Sequence, residues 1–221
     1  MAEALLEARG LAKTYRRGAE RVRAVAGVDL ALYPGELVAL VGPSGSGKSS
    51  LLGLLAGWEP PDAGQLTWAP TGAGGAPPWS ELATVPQALG LLEDLTVREN
   101  VALPVRLRLG RRRADEGRTE ELLGLFGLAE LADRSPSETS LGQQQRAAVA
   151  RALVLTPQLV LADEPSAHQD AAWVHDVFAA LRQVVHDRGA ACLVATHDPD
   201  ALRFADRVLH LADGELTERE L

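Results

Sequence analysis

The segment GPSGSGKS, from Gly42 to Ser49, constrains the fold of this chain more than any other feature. It fits the pattern G-x-x-x-x-G-K-[ST] at every defined position. The run ELVALV (36–41) before it is compact and apolar and predicts a buried strand, whereas KSSLLGLLAG (48–57) after it has helical spacing. A strand, a glycine-rich turn and a helix in this order predict a loop whose backbone amides turn inward around a phosphate chain.

Lys48 and Ser49 supply the chemistry of this loop. We expect the Lys48 ammonium to bind the β- and γ-phosphates and the Ser49 hydroxyl to bind Mg²⁺, a hard cation that prefers oxygen ligands. The alternative is a glycine-rich turn without a ligand, and the strand and helix on either side argue against it. The loop residues predicted to bind nucleotide are Gly42, Pro43, Ser44, Gly45, Ser46, Gly47, Lys48, Ser49 and Ser50.

A second apolar run, QLVLADE (158–164), predicts a buried strand that ends in two carboxylates. We expect Asp163 to hold Mg²⁺, directly or through water. Glu164 is expected to orient or deprotonate a water for in-line attack on the γ-phosphorus. Such a pair alone could simply end a strand in solvent. Beside a complete phosphate loop, it indicates hydrolysis of a nucleoside triphosphate.

Composition narrows the class of protein. The chain has 221 residues, of which 46% are hydrophobic, which is enough for a sizeable core. Its net charge of −8 argues against non-specific binding to nucleic acid, which needs a basic surface. A lone cysteine, Cys192, cannot form an internal disulfide. No segment approaches the ~18 uninterrupted apolar residues of a membrane span, and the N-terminus lacks a secretory pattern. We therefore expect a cytoplasmic protein.

Strands alternate with helices over much of the chain. A helical run (170–188) precedes the strand pattern ACLVATHD (191–198), and RVLHLADGEL (207–216) reads as a strand, an Asp-Gly turn and the start of another strand. This order predicts an α/β core with a mostly parallel sheet. Residues 4–41 are predicted to form short strands with turns, and the block after Gln87 reads as a helical insertion between two core strands.

These motifs together resemble an ATP-binding cassette (ABC) ATPase, the nucleotide-binding subunit of ABC transporters. The resemblance depends on the order of six elements: the phosphate loop, Gln87, the signature-like TSLGQQQR (139–146), the acidic pair, Asp170 and His197. It implies an α/β fold, a P-loop NTPase core with an N-terminal antiparallel β subdomain and an inserted helical subdomain. We expect a single domain over 1–221, in which 1–86 and 158–221 form the β subdomain and α/β core and 87–157 the mainly helical part.

The resemblance also implies roles for individual residues. Tyr15 matches the aromatic residue that stacks on adenine. Gln87 matches the lid glutamine that senses Mg²⁺ and the attacking water while it couples to the transporter. His197 resembles the switch histidine that contacts the γ-phosphate, and Asp170 matches the aspartate of a loop that crosses the dimer interface. Taken singly, Tyr15 would be an ordinary strand residue, Gln87 a plain loop amide and His197 a surface histidine.

The stretch TSLGQQQR corresponds to the family signature LSGGQ at the start of a helix. It carries more hydrogen-bonding capacity than its neighbours in sequence can use. The resemblance implies that Ser140, Gly142 and Gln143 bind the γ-phosphate of ATP held by a second chain, with two ATP between two chains related by a two-fold axis. Leu141 replaces the first glycine of the signature. It either adds bulk where backbone approaches phosphate or turns away into the helical block.

The implied cofactors are ATP and Mg²⁺. We expect an ATP-hydrolysing subunit that forms an ATP-dependent homodimer and powers a separate membrane permease from the cytoplasmic face of the membrane. LLEDLTVRENVALP (91–104) resembles the lipoprotein-releasing and macrolide-export subgroup. Two alternatives stay open. A soluble ABC ATPase acting on nucleic acid or ribosomes typically carries coiled coils, zinc motifs or a second cassette, none of which we find in this sequence. A regulatory module with weakened hydrolysis is favoured only by Leu141.

Overall fold

The computed structural model describes residues 3–18, 20–71, 73–109, 116–166 and 171–219. Within these ranges the chain forms two sheets and five α-helices. The strands are β1 (Leu6–Arg17), β2 (Glu20–Leu32), β3 (Leu37–Val41), β4 (Ala63–Trp68), β5 (Ala73–Gly74), β6 (Leu82–Val85), β7 (Leu159–Asp163), β8 (Ala191–Ala195), β9 (Arg207–Ala212) and β10 (Glu215–Arg219). The helices are α1 (Lys48–Leu55), α2 (Val97–Leu109), α3 (Glu116–Leu125), α4 (Leu141–Leu153) and α5 (Ala171–Arg188).

The larger sheet has the strand order β10-β9-β3-β8-β7-β6. Every neighbouring pair from β9 to β6 is parallel, and only the β9–β10 hairpin is antiparallel. The prediction of a mostly parallel sheet is therefore confirmed. Strands β3, β7 and β8 read as continuous apolar runs because helices or the second sheet cover both of their faces.

The smaller sheet is antiparallel, with the order β2-β1-β4-β5, and confirms the predicted N-terminal β subdomain. The expectation of short strands over 4–41 was wrong for its first part, since β1 has 12 residues and β2 has 13. Gly10 and Gly27 interrupt the pattern in sequence but adopt φ values of 60° and 83° at shifts in the β1–β2 register. They bend two continuous strands as bulges and do not end them.

Between β6 and β7 the described elements are the helices α2, α3 and α4 and short 3₁₀ turns. Their apolar faces enclose a core that includes Val101, Leu122, Phe126 and Val149, each completely buried. All three helices lie inside the predicted helical segment 87–157, whose boundaries stay a prediction. No helix within the described ranges has the length and apolar character needed to cross a membrane.

Side chains of each central strand alternate between two cores on opposite faces of the larger sheet. On β8, Cys192 and Val194 face the core formed with α2–α5, and Leu193 and Ala195 face the core formed with α1 and the smaller sheet. Burial raises the pKa of the Cys192 thiol, so this group stays neutral.

Because β3, β7 and β8 run parallel, their carboxyl ends meet at one edge of the sheet, where ligands of such folds usually bind.

Candidate functional site

The phosphate loop connects β3 to α1 in a conformation that only glycine permits at two positions. Gly47, the N-cap of α1, has a φ of 103°, and a Cβ there would lie 2.0 Å from the carbonyl oxygen of Ala24. A Cβ on Gly42 would lie 2.0 Å from the carbonyl oxygen of Leu211. Among the described residues no side chain caps α1. The first amides of this helix are therefore left for an anion.

The Lys48 ammonium lies over this loop. Its Nζ donates hydrogen bonds to the carbonyl oxygens of Gly42, at 2.8 Å, and Pro43, at 3.0 Å. In the described part of the chain Lys48 forms no salt bridge with a carboxylate. No carboxylate of the described residues therefore neutralises its positive charge, which is placed to bind a phosphate above the loop.

Ser49 joins the phosphate loop to β7. Its Oγ donates a hydrogen bond of 2.5 Å to Oδ2 of Asp163. A hydroxyl and a carboxylate oxygen at this separation are hard ligands of the type that Mg²⁺ prefers. The described residues contain no group of three or more His, Cys, Asp or Glu side chains that could hold a metal ion. A Mg²⁺ here would therefore need phosphate or water oxygens to complete its coordination.

Glu164 directly follows β7 and bends sharply, with a φ of 52°. Its backbone N–H donates to the carbonyl oxygen of Ala195 at 2.9 Å. Its Oε1 lies 2.8 Å from Nδ1 of His197, so an N–H at that ring nitrogen donates to the carboxylate. The Glu164 carboxylate is mostly buried and His197 is exposed. The predicted base and the predicted switch histidine are thus in direct contact.

Most of the predicted site residues line one cavity of about 740 Å³, a volume suited to a nucleotide. Pro43 and Ser46 do not line it, and Ser46 is buried beneath the loop. Asp170 lies outside the described residues. The predicted residues that line the cavity are Tyr15, Gly42, Ser44, Gly45, Gly47, Lys48, Ser49, Ser50, Gln87, Asp163, Glu164 and His197.

The Tyr15 ring is fixed at one end of this cavity by residues that the sequence did not suggest. Its hydroxyl donates to Oε1 of Glu59, whose other carboxylate oxygen lies 3.2 Å from Nζ of Lys13. Burial raises the pKa of the Tyr15 phenol, and the Glu59 carboxylate adds to the shift, so the hydroxyl keeps its proton. The ring is thereby held in a fixed orientation, as stacking on a base requires.

The start of α4 uses its hydrogen-bonding groups within the chain. Ser140 is the N-cap: its Oγ accepts from the Gln143 N–H at 3.3 Å, and its own N–H donates to Gln143 Oε1 at 2.8 Å. Gln144 donates to the carbonyl oxygens of Pro136 and Thr139. The expectation that little nearby could use this capacity was wrong. The pattern S-x-x-Q is a capping box, which the sequence itself could have revealed.

A family model described as "ABC transporter" matches residues 25–167. The chain belongs to the ABC transporter family. As predicted from the motif order, it is an ATP-binding, ATP-hydrolysing cassette of this family.

Relatives and solved structures agree with this assignment. The cassette is similar to the lipoprotein-releasing system ATP-binding protein LolD 2 of Caulobacter vibrioides, with 41% identity over 98% of both chains. The corresponding LolD protein of a Ruegeria species is 41% identical over 99% of this chain and 100% of its own. A dimeric post-hydrolysis state of the ATP-binding cassette MJ0796, bound to ADP and Pi, superposes with a TM-score of 0.88 at 31% identity, covering 98% of each chain.

Leu141 is the residue at which the N-terminus of α4 departs from the family signature. This residue is 50% exposed, so of the two alternatives left open by the sequence the structure favours added bulk at the surface over burial in the helical block. It is the first residue of α4, next to Ser140, and extends from the surface that carries the signature. Ser140 is exposed and Gly142 and Gln143 are half-buried on this surface, and none of the three lines the phosphate-loop cavity.

Proposed function

We propose that this cassette binds each ATP, with Mg²⁺, between the phosphate loop of one chain and the α4 N-terminus of a second chain, and that hydrolysis powers a separate membrane permease. The observation that carries the proposal is the continuous set of contacts in one cavity. Ser49 contacts Asp163, and the next residue, Glu164, contacts His197, all beside the Lys48 ammonium. This arrangement brings together a phosphate ligand, metal ligands and a base.

Each group has a distinct task in the proposed reaction. Lys48 and the amides of α1 bind the β- and γ-phosphates and offset the charge that develops on them. When bound to Ser49 and Asp163, Mg²⁺ would neutralise charge on the phosphate oxygens. The Glu164 carboxylate accepts a proton from the attacking water. His197 orients that carboxylate through Nδ1 and leaves Nε2 free to reach the γ-phosphate.

The dimer completes each site. The MJ0796 cassettes with TM-scores of 0.88 and 0.87 are dimeric, which supports a second copy of this chain as the partner. In our proposal, Ser140, Gly142 and Gln143 of one chain meet the ATP of the other across a two-fold axis. ATP then adds contacts to the closed dimer that disappear after hydrolysis, and this difference shifts the partner permease between two conformations.

A cleft beside the lid glutamine is the proposed docking site for the permease. Its volume is about 340 Å³, and it is lined by the end of β6, by α2 and by α4. Trp79 and Leu107 at its rim are 60% and 70% exposed, although both are large and apolar. Exposed apolar groups around a cleft are typical of a protein interaction site. The names of the relatives support release of lipoproteins as the transport process. We propose that the cassette acts on the permease from the cytoplasmic face of the membrane.

The catalytic part of the proposal is tested by Glu164→Gln. We expect the variant to bind ATP, to hydrolyse it at least ~100-fold more slowly, as for loss of a general base, and to accumulate as a dimer. ATP turnover and size-exclusion chromatography with ATP measure the two effects. Glu130→Gln, the same change at an exposed residue of the helical segment, serves as the control. Undiminished turnover by Glu164→Gln contradicts the assignment of the base.

The permease part is tested by Leu107→Asp, which places a charge in the docking cleft. We expect the unmodified chain to sediment with membranes in its native cells and the variant to remain in the supernatant, because burying an unpaired carboxylate is unfavourable. Equal thermal unfolding midpoints would show that both chains are folded. Recovery of the unmodified chain on ribosomes or nucleic acid, and not on membranes, would favour the alternative class of ABC ATPase.

A further inference from the structure

One contact of Glu164 comes from the signature-like segment TSLGQQQR, but from a residue of that segment to which the resemblance gives no role. Nε2 of Gln145, on α4, donates a hydrogen bond of 2.9 Å to the backbone carbonyl oxygen of Glu164. Gln145 is only 3% exposed, and it lies near the start of α4, the α-helix that precedes β7 in the chain. We propose that Gln145 is a positioning residue for Glu164, a proposal that rests on the role of Glu164 as the base in the proposed function.

The backbone of Glu164 needs such support. Its φ of 52° lies in the left-handed region, which a residue other than glycine occupies only where the surroundings hold it. Pro165 follows and has no N–H with which to close the bend. The Glu164 N–H is held by Ala195 of β8, and its carbonyl oxygen is held by Gln145. The two hydrogen bonds together fix the direction in which the carboxylate leaves the strand.

Gln145 is itself held firmly. The next residue, Arg146, is buried, and its guanidinium lies 3.6 Å from the ring centroid of Trp173 on α5. A Cβ on Gly127 would lie 2.5 Å from an atom of this same ring, so the ring is packed closely against the turn that follows α3. Such close packing prevents α4 from sliding along α5. The Gln145 amide is therefore fixed relative to β7.

The position of Gln145 on α4 connects this contact to the second nucleotide site of the proposed dimer. It follows the N-cap Ser140 by five positions on one helix of 13 residues. In the proposed dimer, Ser140 completes the site of the second chain, whereas Gln145 holds the base of its own site. A rigid helix therefore links each catalytic glutamate to the ATP bound by the other chain.

The Glu164 carbonyl oxygen needs a hydrogen-bond donor at this position. A methionine fills a similar volume but donates nothing to the Glu164 carbonyl oxygen, and a carboxylate repels it. We expect Gln145→Met to lower kcat about tenfold, since small displacements of a catalytic group are costly, and to leave KM for ATP within about twofold. The matched control is Gln183→Met at an exposed position of α5.

Two measurements separate positioning from general damage to the fold. In the Glu164→Gln background, Gln145→Met should still form the ATP-dependent dimer, as shown by size-exclusion chromatography. An unchanged kcat in Gln145→Met overturns the inference, and so does a loss of kcat that is accompanied by loss of ATP-dependent dimerisation. Full turnover by Glu164→Gln contradicts the proposed function. Loss of turnover in that variant, with unchanged kcat in Gln145→Met, contradicts this inference alone.

Gln145→Glu provides a test that does not depend on the stability of the methionine variant. Burial raises the pKa of a carboxyl group at this position, and its protonated form can donate to the carbonyl oxygen whereas its charged form cannot. The ratio of variant to unmodified kcat should therefore rise severalfold between about pH 8.5 and about pH 6.5. A ratio that stays constant over this range would overturn the role of Gln145 as a donor.

Discussion

The N-termini of α1 and α4 are both proposed to bind phosphate, but they are built differently. Gly47 at the start of α1 has no side chain, and among the described residues none caps this helix, so its amides are ready for an anion. At the start of α4, Ser140 and Gln143 cap each other. The first end can therefore bind nucleotide in the single chain, whereas in the proposed dimer the second would exchange hydrogen bonds when a partner brings its ATP.

The largest difference between the two ends is expected on substitution of Lys48. Lys48→Ala should weaken ATP binding by the single chain by about 100-fold, because a charge-assisted hydrogen bond to phosphate is lost. Titration with a fluorescent ATP analogue measures the affinity. Affinity within twofold of that of the unmodified chain would show that the α1 end does not hold the nucleotide.

Ser140→Ala should act in the opposite way. We expect the ATP affinity of the single chain to stay within about twofold and turnover to fall about tenfold, because the missing hydroxyl is needed only in the closed dimer. Removal of the cap should also cost about 1 kcal/mol of folding free energy. ATPase assays and chemical denaturation measure these effects. A large loss of single-chain affinity would mean that both helix ends act on the same nucleotide.

Leu141→Gly tests the departure of this chain from the family signature. Leu141 is exposed beside Ser140, where it adds bulk to the surface that we propose approaches ATP. We expect the glycine variant to hydrolyse ATP about threefold faster, because backbone can approach phosphate more closely without a side chain. Equal or lower turnover would indicate that the dimer accommodates the leucine.

The smallest effect is expected on stability, away from both helix ends. The Arg182 guanidinium, with help from the backbone N–H of Leu37, lowers the pKa of the Asp206 carboxyl. A carboxyl with a lowered pKa stabilises the folded state above its unfolded-state pKa, and this stabilisation is lost as pH falls through the folded-state value.

Asp206→Asn should therefore destabilise the chain at neutral pH and have little effect in acid. About 1 kcal/mol is expected, since the carboxylate is a third exposed and solvent screens its ion pair. Thermal unfolding midpoints across the acid range measure the difference. A penalty that persists in strong acid would show that the ion pair is not its source, and a change in ATP affinity would show that the loop depends on this end of β3.

The sequence predicted the α1 end well and the α4 end less well, for physical reasons. At α1, each residue acts on its sequence neighbours: the apolar strand, the glycines and Lys48 lie within one short segment. The parallel sheet was also predicted from local signals, the short apolar runs that form its central strands. At α4, the signature motif indicated a ligand on a second chain. The prediction did not include the capping box of Ser140 and Gln143, although the S-x-x-Q spacing in the sequence indicates one.

Contacts between distant segments could not be read from one sequence. Glu59 contacts Tyr15, which lies 44 positions away, and Gln145 contacts Glu164, which lies 19 positions away. No local sequence pattern around Glu59 or Gln145 predicts which residue it contacts. Gly10 and Gly27 show a second feature that one sequence could not decide, namely where a strand ends. Glycine inside an alternating pattern is compatible with a turn or with a bulge, and only pairing with the neighbouring strand decides between them.

The central claim is that one ATP is bound by α1 of one chain and α4 of the other. Mixing Lys48→Ala chains with Ser140→Arg chains tests it directly, because a mixed dimer then contains one doubly damaged site and one intact site. We expect each variant alone to be nearly inactive and the equimolar mixture to recover roughly a quarter of the unmodified ATPase rate, since half of the randomly formed dimers are mixed. A mixture that stays as inactive as its components would contradict the claim.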